Sequence, residues 1–354
     1  MKKELLIASA LVGSLGMAGV AEAASYSISG NSRTGVNATD NDAGTETRAA
    51  LLQASFTVSV TETTDSGIII ASGFDLAEES TSGAGGGGLS GLTLTFTDGS
   101  KLDLVSAGNA SGSHDVSIPG TAGEEGISVT TTNTAPTGLD FATGTTGLGF
   151  EYHTPADTLM DGLKMSVSYS TDSGAAKSAT PAKMGHYAIG GTYVTDAGDT
   201  AVTIGAGYST TDWGNTSTEA SNDESSVHMG LSAVTGDLTV AVGFADGDRV
   251  GGTNTTTNYE ASANVMKAGA KYVTGDMTFN LGIAAGESKD SRTLGTPGTT
   301  VDSYDKTSAS ISYAVASGVT AIVGFTNTDT TDEGTTVDTE SNGSAWYIGA
   351  NIAF

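Results

Sequence analysis

The sequence predicts an all-β fold: a transmembrane antiparallel up-and-down β-barrel of sixteen strands, with short periplasmic turns and long extracellular loops. Three observations carry this reading. Side chains alternate between apolar and small-or-polar with period 2 along most of the chain. The connections between alternating runs are short and long by strict turns. Aromatic residues fall at the ends of the runs, on the apolar face, in two rows.

The first 23 residues stand apart from this pattern. Lys2 and Lys3 precede an apolar stretch from Leu5 to Val20, and "AEA" at 21–23 follows it. That order of charge, apolar core and small-x-small site is a secretory signal peptide. The alternative is a membrane helix, but the run is short and Gly-rich, and the processing site lies directly behind it. Removal of 1–23 leaves 24–354 as a single barrel domain of 354 − 23 = 331 residues.

Within that domain the alternation is clearest at 200–210, where Val202, Ile204, Ala206 and Tyr208 oppose Thr203, Gly205 and Gly207. Residues 237–245 repeat it with Leu238, Val240, Val242 and Phe244 against Thr239, Ala241 and Gly243. Residues 276–284 and 318–326 follow the same scheme. All such runs together place strands near 25–37, 48–62, 66–78, 89–97, 100–105, 146–152, 161–170 and 184–194. They continue near 200–210, 225–235, 237–246, 258–274, 276–287, 303–315, 318–328 and 343–354. Most span the roughly 9–11 residues that a tilted strand needs to cross a bilayer.

The connections sort by parity. The short ones are "TETTD", "DG", "HTPADTLMD", "TDAGD", "TGD", "TGD" and "SG". The long ones fall near 38–47, 79–88, 106–145, 171–183, 212–224, 247–257, 288–302 and 329–342. A soluble β-sandwich has no reason to sort its loops this way, whereas a meander spanning a membrane does. Going up from the short-turn end, Tyr169, Tyr208, Phe244 and Phe325 close their strands; coming down, Tyr193, Tyr272, Tyr313 and Phe354 do so. An aromatic ring at each lipid–water boundary has that placement. The apolar face then meets lipid and the small, polar face lines a lumen. In hydrocarbon every backbone group needs a partner, so the first strand must pair with the last. With this many strands the interior is too wide for side chains to fill, and water enters. Arginine at Val240 is then costly, and arginine at Ala241 mild.

Composition agrees with this. There is no cysteine, so neither disulfides nor thiol chemistry are available. The 50 glycines and only five prolines suit many strands joined by turns. A net charge of −26 argues against nucleic acid as a partner and fits attraction of cations or adaptation to a salty medium.

Four stretches resemble the sixteen-stranded, trimeric general porins of alphaproteobacteria, of the Rhodobacter type. They are "SISGNSRTGV", "TTDSGIIIASGFDLAEES", "GFEYHTPADTLMDGLKMSVSYS" and the aromatic C-terminal strand ending in Phe354. The resemblance implies an outer-membrane location in a Gram-negative bacterium, with lipid and lipopolysaccharide around a homotrimer. It implies passive diffusion of ions and small hydrophilic solutes, and a C-terminal Phe354 read by the barrel assembly machinery. It further implies that the third long loop, 106–145, folds inward and narrows the pore. The acids of that loop are Asp115, Glu124, Glu125 and Asp140. Strand parity offers Arg33, Lys164, Lys267 and Lys271 as lumen-facing bases. Arg48 matches the start of the family's second strand, although parity leaves its direction open, and Asp75 stands where relatives often carry a base. With so few bases the expected pore prefers cations.

No catalytic constellation is visible, so the chain reads as a channel and not an enzyme. His114, His153, His186 and His228 are isolated in sequence and read as solvated side chains. "GAGGGG" at 83–88 sits in a long loop, away from any helix start, and does not read as a phosphate cradle. "DGD" at 246–248 and "TDTTDEGTTVDTE" at 328–340 are acidic loops that a calcium ion could occupy, though their spacing matches no known calcium loop; no other cofactor is expected. The alternatives are a secreted or surface-layer adhesion protein and a solute-specific outer-membrane channel. A hydrolase built on a barrel would need a Ser/His pair at the rim.

Overall fold

Each alternating run of the sequence folds as a strand, and the strands close on themselves. The computed structural model describes residues 24–41, 46–79, 86–105, 108–120, 148–171, 183–213, 223–253, 257–289, 301–333 and 338–354. Its strands are β1 (Ser25–Asn41), β2 (Thr47–Thr63), β3 (Ile69–Glu79), β4 (Gly86–Thr95), β5 (Lys101–Leu104) and β6 (Leu148–His153). Next come β7 (Leu163–Thr171), β8 (Lys183–Ala197), β9 (Thr200–Trp213), β10 (Asp223–Thr235) and β11 (Leu238–Thr253). The set ends with β12 (Thr257–Thr274), β13 (Met277–Lys289), β14 (Val301–Ala316), β15 (Val319–Glu333) and β16 (Asp338–Ala353). Every strand pairs antiparallel with its sequence neighbours, and β1 pairs with β16, so the barrel has no free edge.

The expected faces hold. Val240, Val242 and Phe244 on β11 and Leu281 and Ile283 on β13 are exposed to the outside. Gly243 and Lys267, paired in register, lie on the inner face. Outward aromatics stack into a row where Phe150, Tyr169 and Tyr187 stand in register on β6, β7 and β8. Their ring centroids are 6.4 and 4.9 Å apart, and such tilted pairs add to the interfacial preference of each ring.

The tight turns are made by glycine. Gly198, Gly236 and Gly275 have φ of +67°, +55° and +58°, each at the first central position of a two-residue hairpin turn followed by aspartate. A primed turn needs that left-handed conformation, and its twist matches that of the flanking strands.

At the opposite end the strands run further than their alternation suggests. β11 continues to Thr253 and takes in Asp246–Asp248, paired with β10 and β12. β15 and β16 likewise take in 328–333 and 338–340, and β4 takes in Gly86–Gly88. "DGD", much of the last acidic stretch and part of "GAGGGG" are therefore strand and not loop. Beyond the bilayer both faces of a hairpin meet water, so the ladder persists while the hydrophobic alternation that reveals it is lost. Among the described residues no group of three or more His, Asp or Glu side chains is placed to hold a metal ion. The leader at 1–23 lies outside the described residues.

β5 and β6 are short, four and six residues. After β5 the chain leaves the wall and enters the barrel.

Candidate functional site: a loop seated on the inner wall

Residues 108–120 lie along the inside of the barrel, and small residues on the wall make room for them. Gly190 on β8, Gly205 and Gly207 on β9, Gly230 on β10, Gly243 on β11 and Gly269 on β12 all face inward. They are adjacent in register: Gly190 pairs with Gly207, Gly205 with Gly230, and Gly230 with Gly243. Gly269 pairs with Gly282 on β13. A Cβ on Gly190 would strike His114 at 2.6 Å, and on Gly230 it would strike Val116 at 2.6 Å. On Gly269 it would fall on the Pro119 carbonyl. The glycines form a track across the wall, and the loop backbone lies in it.

Polar anchors fix the loop along this track. The Asn109 amide donates to Glu151 at 3.3 Å, and the Ser113 hydroxyl donates to the same carboxylate at 2.5 Å. The Ala110 amide donates to Ser168 Oγ at 2.9 Å. His228 Nε2 donates to the Ser111 carbonyl at 2.8 Å, and its Nδ1 lies 2.9 Å from Asp115 Oδ1. A 3₁₀ turn, Gly112–His114, aims the His114 ring into the wall between Ser166 on β7 and Thr192 on β8. At the far end Ser308 on β14 donates to the Gly120 carbonyl.

Electrostatics follow from this seating. The His228 imidazole beside Asp115 holds its carboxyl below the ordinary carboxylate range against the opposing cost of burial, and Lys267 adds to the effect. Burial pushes His114 below the ordinary histidine value, and the cationic fields of His153, His228 and Lys164 act in the same direction while Glu151 opposes them. A pocket of about 240 Å³ opens between loop and wall, lined by Asn109, Asp115, His228 and Lys267 among others.

The residues expected at a constriction fare differently. Asp115 is seated in the lumen with its side chain 70% exposed. Lys267 shares its pocket. Arg33 faces inward and donates to Gln53 at 2.9 Å. Asp75 faces inward and accepts from Thr57 at 2.6 Å. Lys164 and Lys271 lie on the inner faces of β7 and β12, in register with Thr192 and Asn280. Arg48 does not join them: it shares the outward parity of Leu52 and pairs with Glu46 at 2.6 Å near the long-loop rim. Glu124, Glu125 and Asp140 lie outside the described residues.

The structure adds inward-facing charges that the sequence reading passed over. Lys101 is in register with His153, and Asp103 with Glu151. Lys306 on β14 stands two strands from Lys267, with Ala284 between them. The described wall is therefore mixed in sign. The histidines also correct the sequence reading, because they are not solvated. His114 and His186 are buried, and His153 bridges Asp103 and Ser166 at 2.8 and 2.7 Å. Register brings them together: His153 pairs directly with Ser166 across the β6–β7 hairpin.

A family model described as Gram-negative porin matches residues 8–333. Among solved structures, the anion-selective porin from Comamonas acidovorans aligns with TM-score 0.61 and 13% identity, covering 94% of this chain and 100% of that one. The trimer form of in-vitro folded OmpT, an outer membrane protein of Vibrio cholerae, gives 0.59 and 12%, covering 94% and 99%. A mutant of the Rh. blastica porin gives 0.56 and 15%, covering 93% and 100%. At these identities the likeness is one of fold. No curated protein matches the sequence.

Proposed function

The chain belongs to the Gram-negative porin family, and on that premise we propose that it is a passive, water-filled pore for ions and small hydrophilic solutes, narrowed by its third long loop and preferring cations. The observation that supports the narrowing is the seating of 108–120 on the inner wall by Glu151, Ser168, His228 and Ser308. Selectivity then comes from width and fixed charge, with no bond made or broken.

The wall offers Arg33, Lys101, Lys164, Lys267, Lys271 and Lys306 against Asp75, Asp103, Glu151 and Glu224, and the loop adds Asp115. A wall so mixed gives little net preference. The cation preference rests on the acids of the long-loop end and of loop 3, in a chain of net charge −26. Glu124 and Glu125 are the loop-3 members of that set, and Asp140 belongs with them. The Comamonas protein is itself anion-selective, so the sign is a property of each chain's charges and not of the fold.

The same reading includes export through a signal peptide at 1–23, short turns in the periplasm, and Phe354 as the assembly signal. It includes a homotrimer in outer-membrane lipid, which the OmpT trimer form supports. It also includes a Rhodobacter-type placement, which the fold shared with the Rh. blastica porin supports. The reversal potential in a salt gradient tests the selectivity. The sign should favour cations, and Glu124→Gln with Glu125→Gln should shift it toward zero. A reversal potential favouring anions would overturn the preference, and an unchanged value in the double variant would remove these acids from the selectivity site.

A further inference from the structure

One polar chain ties loop 3 to the wall, and its hydrogen count limits how many protons it can hold. Asp103 Oδ2 lies 2.8 Å from His153 Nε2, and His153 Nδ1 lies 2.7 Å from Ser166 Oγ. Ser166 Oγ lies 2.8 Å from His114 Nε2, and His114 Nδ1 lies 2.7 Å from Thr192 Oγ1. The chain thus runs through β5, β6, β7, the loop and β8. Its central hydroxyl, on Ser166, is 1% exposed and shielded from bulk solvent.

With both rings neutral the directions are forced. The Asp103 carboxylate only accepts, so His153 donates from Nε2 and its Nδ1 must accept the Ser166 proton. The Ser166 oxygen then accepts from His114 Nε2, and His114 Nδ1 accepts from Thr192. Every member is satisfied.

One added proton leaves the chain intact. It enters at His114 Nδ1; the Nε2 proton of His114 passes to the Ser166 oxygen; and the former Ser166 proton passes to His153 Nδ1. The result is a doubly protonated His153 between Asp103 and Ser166. Ser166 now donates to His114 Nε2, and His114 donates to Thr192 from Nδ1. The charge comes to rest beside Asp103, with Glu151 Oε1 3.6 Å away, and both offset the opposing field of Lys101, the register partner of His153 on β5.

A second proton has no such place. It makes His114 cationic, so that two imidazolium N–H groups point at one oxygen whose own hydrogen has no acceptor. That pairs like charges across a buried hydroxyl and orphans a donor, and both cost free energy. The bond between loop and wall is the one that opens. Because the loop backbone already touches the glycine track, it has only the lumen to move into.

We propose that Asp103, His153, Ser166, His114 and Thr192 form a proton-counting latch, which holds the Gly112–His114 turn of the loop against the wall with zero or one proton and releases that turn into the pore with two, while the flanking anchors at Asn109, Ala110 and Gly120 stay in place. The other charged groups facing His114 set the balance. Lys164 on β7, two residues from Ser166, opposes a second charge, as does His228 on β10, while Glu151 on β6 favours one. From β8 the ring bonds Thr192 and lies against Gly190, while Gly205 on β9 meets the His114 backbone carbonyl. His228 holds Ser111 and Asp115 on either side of the Gly112–His114 turn, so these two points stay on the wall while the turn between them lifts, and the Ser113 bond to Glu151 opens with it.

Burial holds His114 below its ordinary value of about 6.5, so the released segment binds a proton more tightly than the latched one. The latch is therefore complete above that pH and weakens as pH falls, by up to about tenfold in its equilibrium per unit.

Planar-bilayer recordings between about pH 8 and pH 4.5 test the latch. In the wild-type protein the open-channel conductance should fall about twofold or more on acidification, with its midpoint below about 6.5. In His114→Gln, whose amide can bridge Ser166 and Thr192 but takes no proton, the profile should be flat. The ring-nitrogen NMR signals of His114 in the wild-type protein should change in two separate steps, a switch of its proton from Nε2 to Nδ1 and then full protonation. A wild-type conductance that is level across this range, a fall of equal size in His114→Gln, or a single step in the NMR titration would overturn the proposal. The wild-type arms need no variant to fold.

Discussion

Arginine in place of Val240 should destabilise the barrel by about 2–4 kcal/mol, read as a shift in the urea unfolding of protein refolded into lipid vesicles. Val240 sits on the outer face of β11, between Ala233 on β10 and Ala270 on β12. It is 43% exposed where lipid would cover it. A guanidinium there must be desolvated or must reach for the interface, and mid-membrane is where that is most expensive. The comparison position is Ser232 on β10, at a similar height but facing the lumen. Arginine there should stay within about 0.5 kcal/mol of the parent, as at most wetted surface sites. Alternation alone would have chosen Ala241 as the mild site. The structure overrules that choice, because Ala241 is 3% exposed and paired with Gly269, on which Pro119 of the loop lies. Equal penalties at Val240 and Ser232 would contradict the assignment of the two faces.

Removal of Phe354 should cost assembly far more than it alters conduction. The Phe354 amide donates to the Gly30 carbonyl and its own carbonyl accepts from the Gly30 amide, both at 3.0 Å, at the end of the β1–β16 ladder. Its ring covers Gly30, where a Cβ would meet ring carbons. Two backbone bonds at about 0.5–1.5 kcal/mol each correspond to roughly tenfold in a folding equilibrium, before any role in recruiting the assembly machinery. Heat-modifiable migration of outer-membrane fractions measures the folded barrel. The deletion should lower its amount about tenfold, while the channels that do form should conduct as the parent does. Parental levels of folded barrel would reduce the terminus to an ordinary strand end.

How far a strand shows in the sequence depends on where water stands. Strands were readable wherever one face meets lipid, because Val202, Ile204 and Tyr208 then alternate with glycine and threonine. They were not readable past the bilayer, where Asp246–Asp248 stay in the ladder with no apolar partner to mark them. The loop seat left a trace that generic reading absorbs. Gly190, Gly205, Gly230, Gly243 and Gly269 all fall at inward parity on successive strands, but each alone looks like one more small residue on a polar face. Only register shows that they are neighbours. The histidines were harder still. His114 and Ser166 are 52 residues apart, and no spacing in the sequence predicts a contact created by a loop turning into a barrel. Arg48 matched a family position whose direction parity left open, and the register of β2 places it outward with Leu52.

The central claim is that this closed, sixteen-stranded wall encloses a continuous water path. Single-channel recording of the purified, folded protein in a planar bilayer tests it most directly. The account predicts large, ohmic current steps that group in threes as one trimer inserts. Protein that is folded by heat-modifiable migration and inserts into the bilayer, yet passes no current, would contradict it.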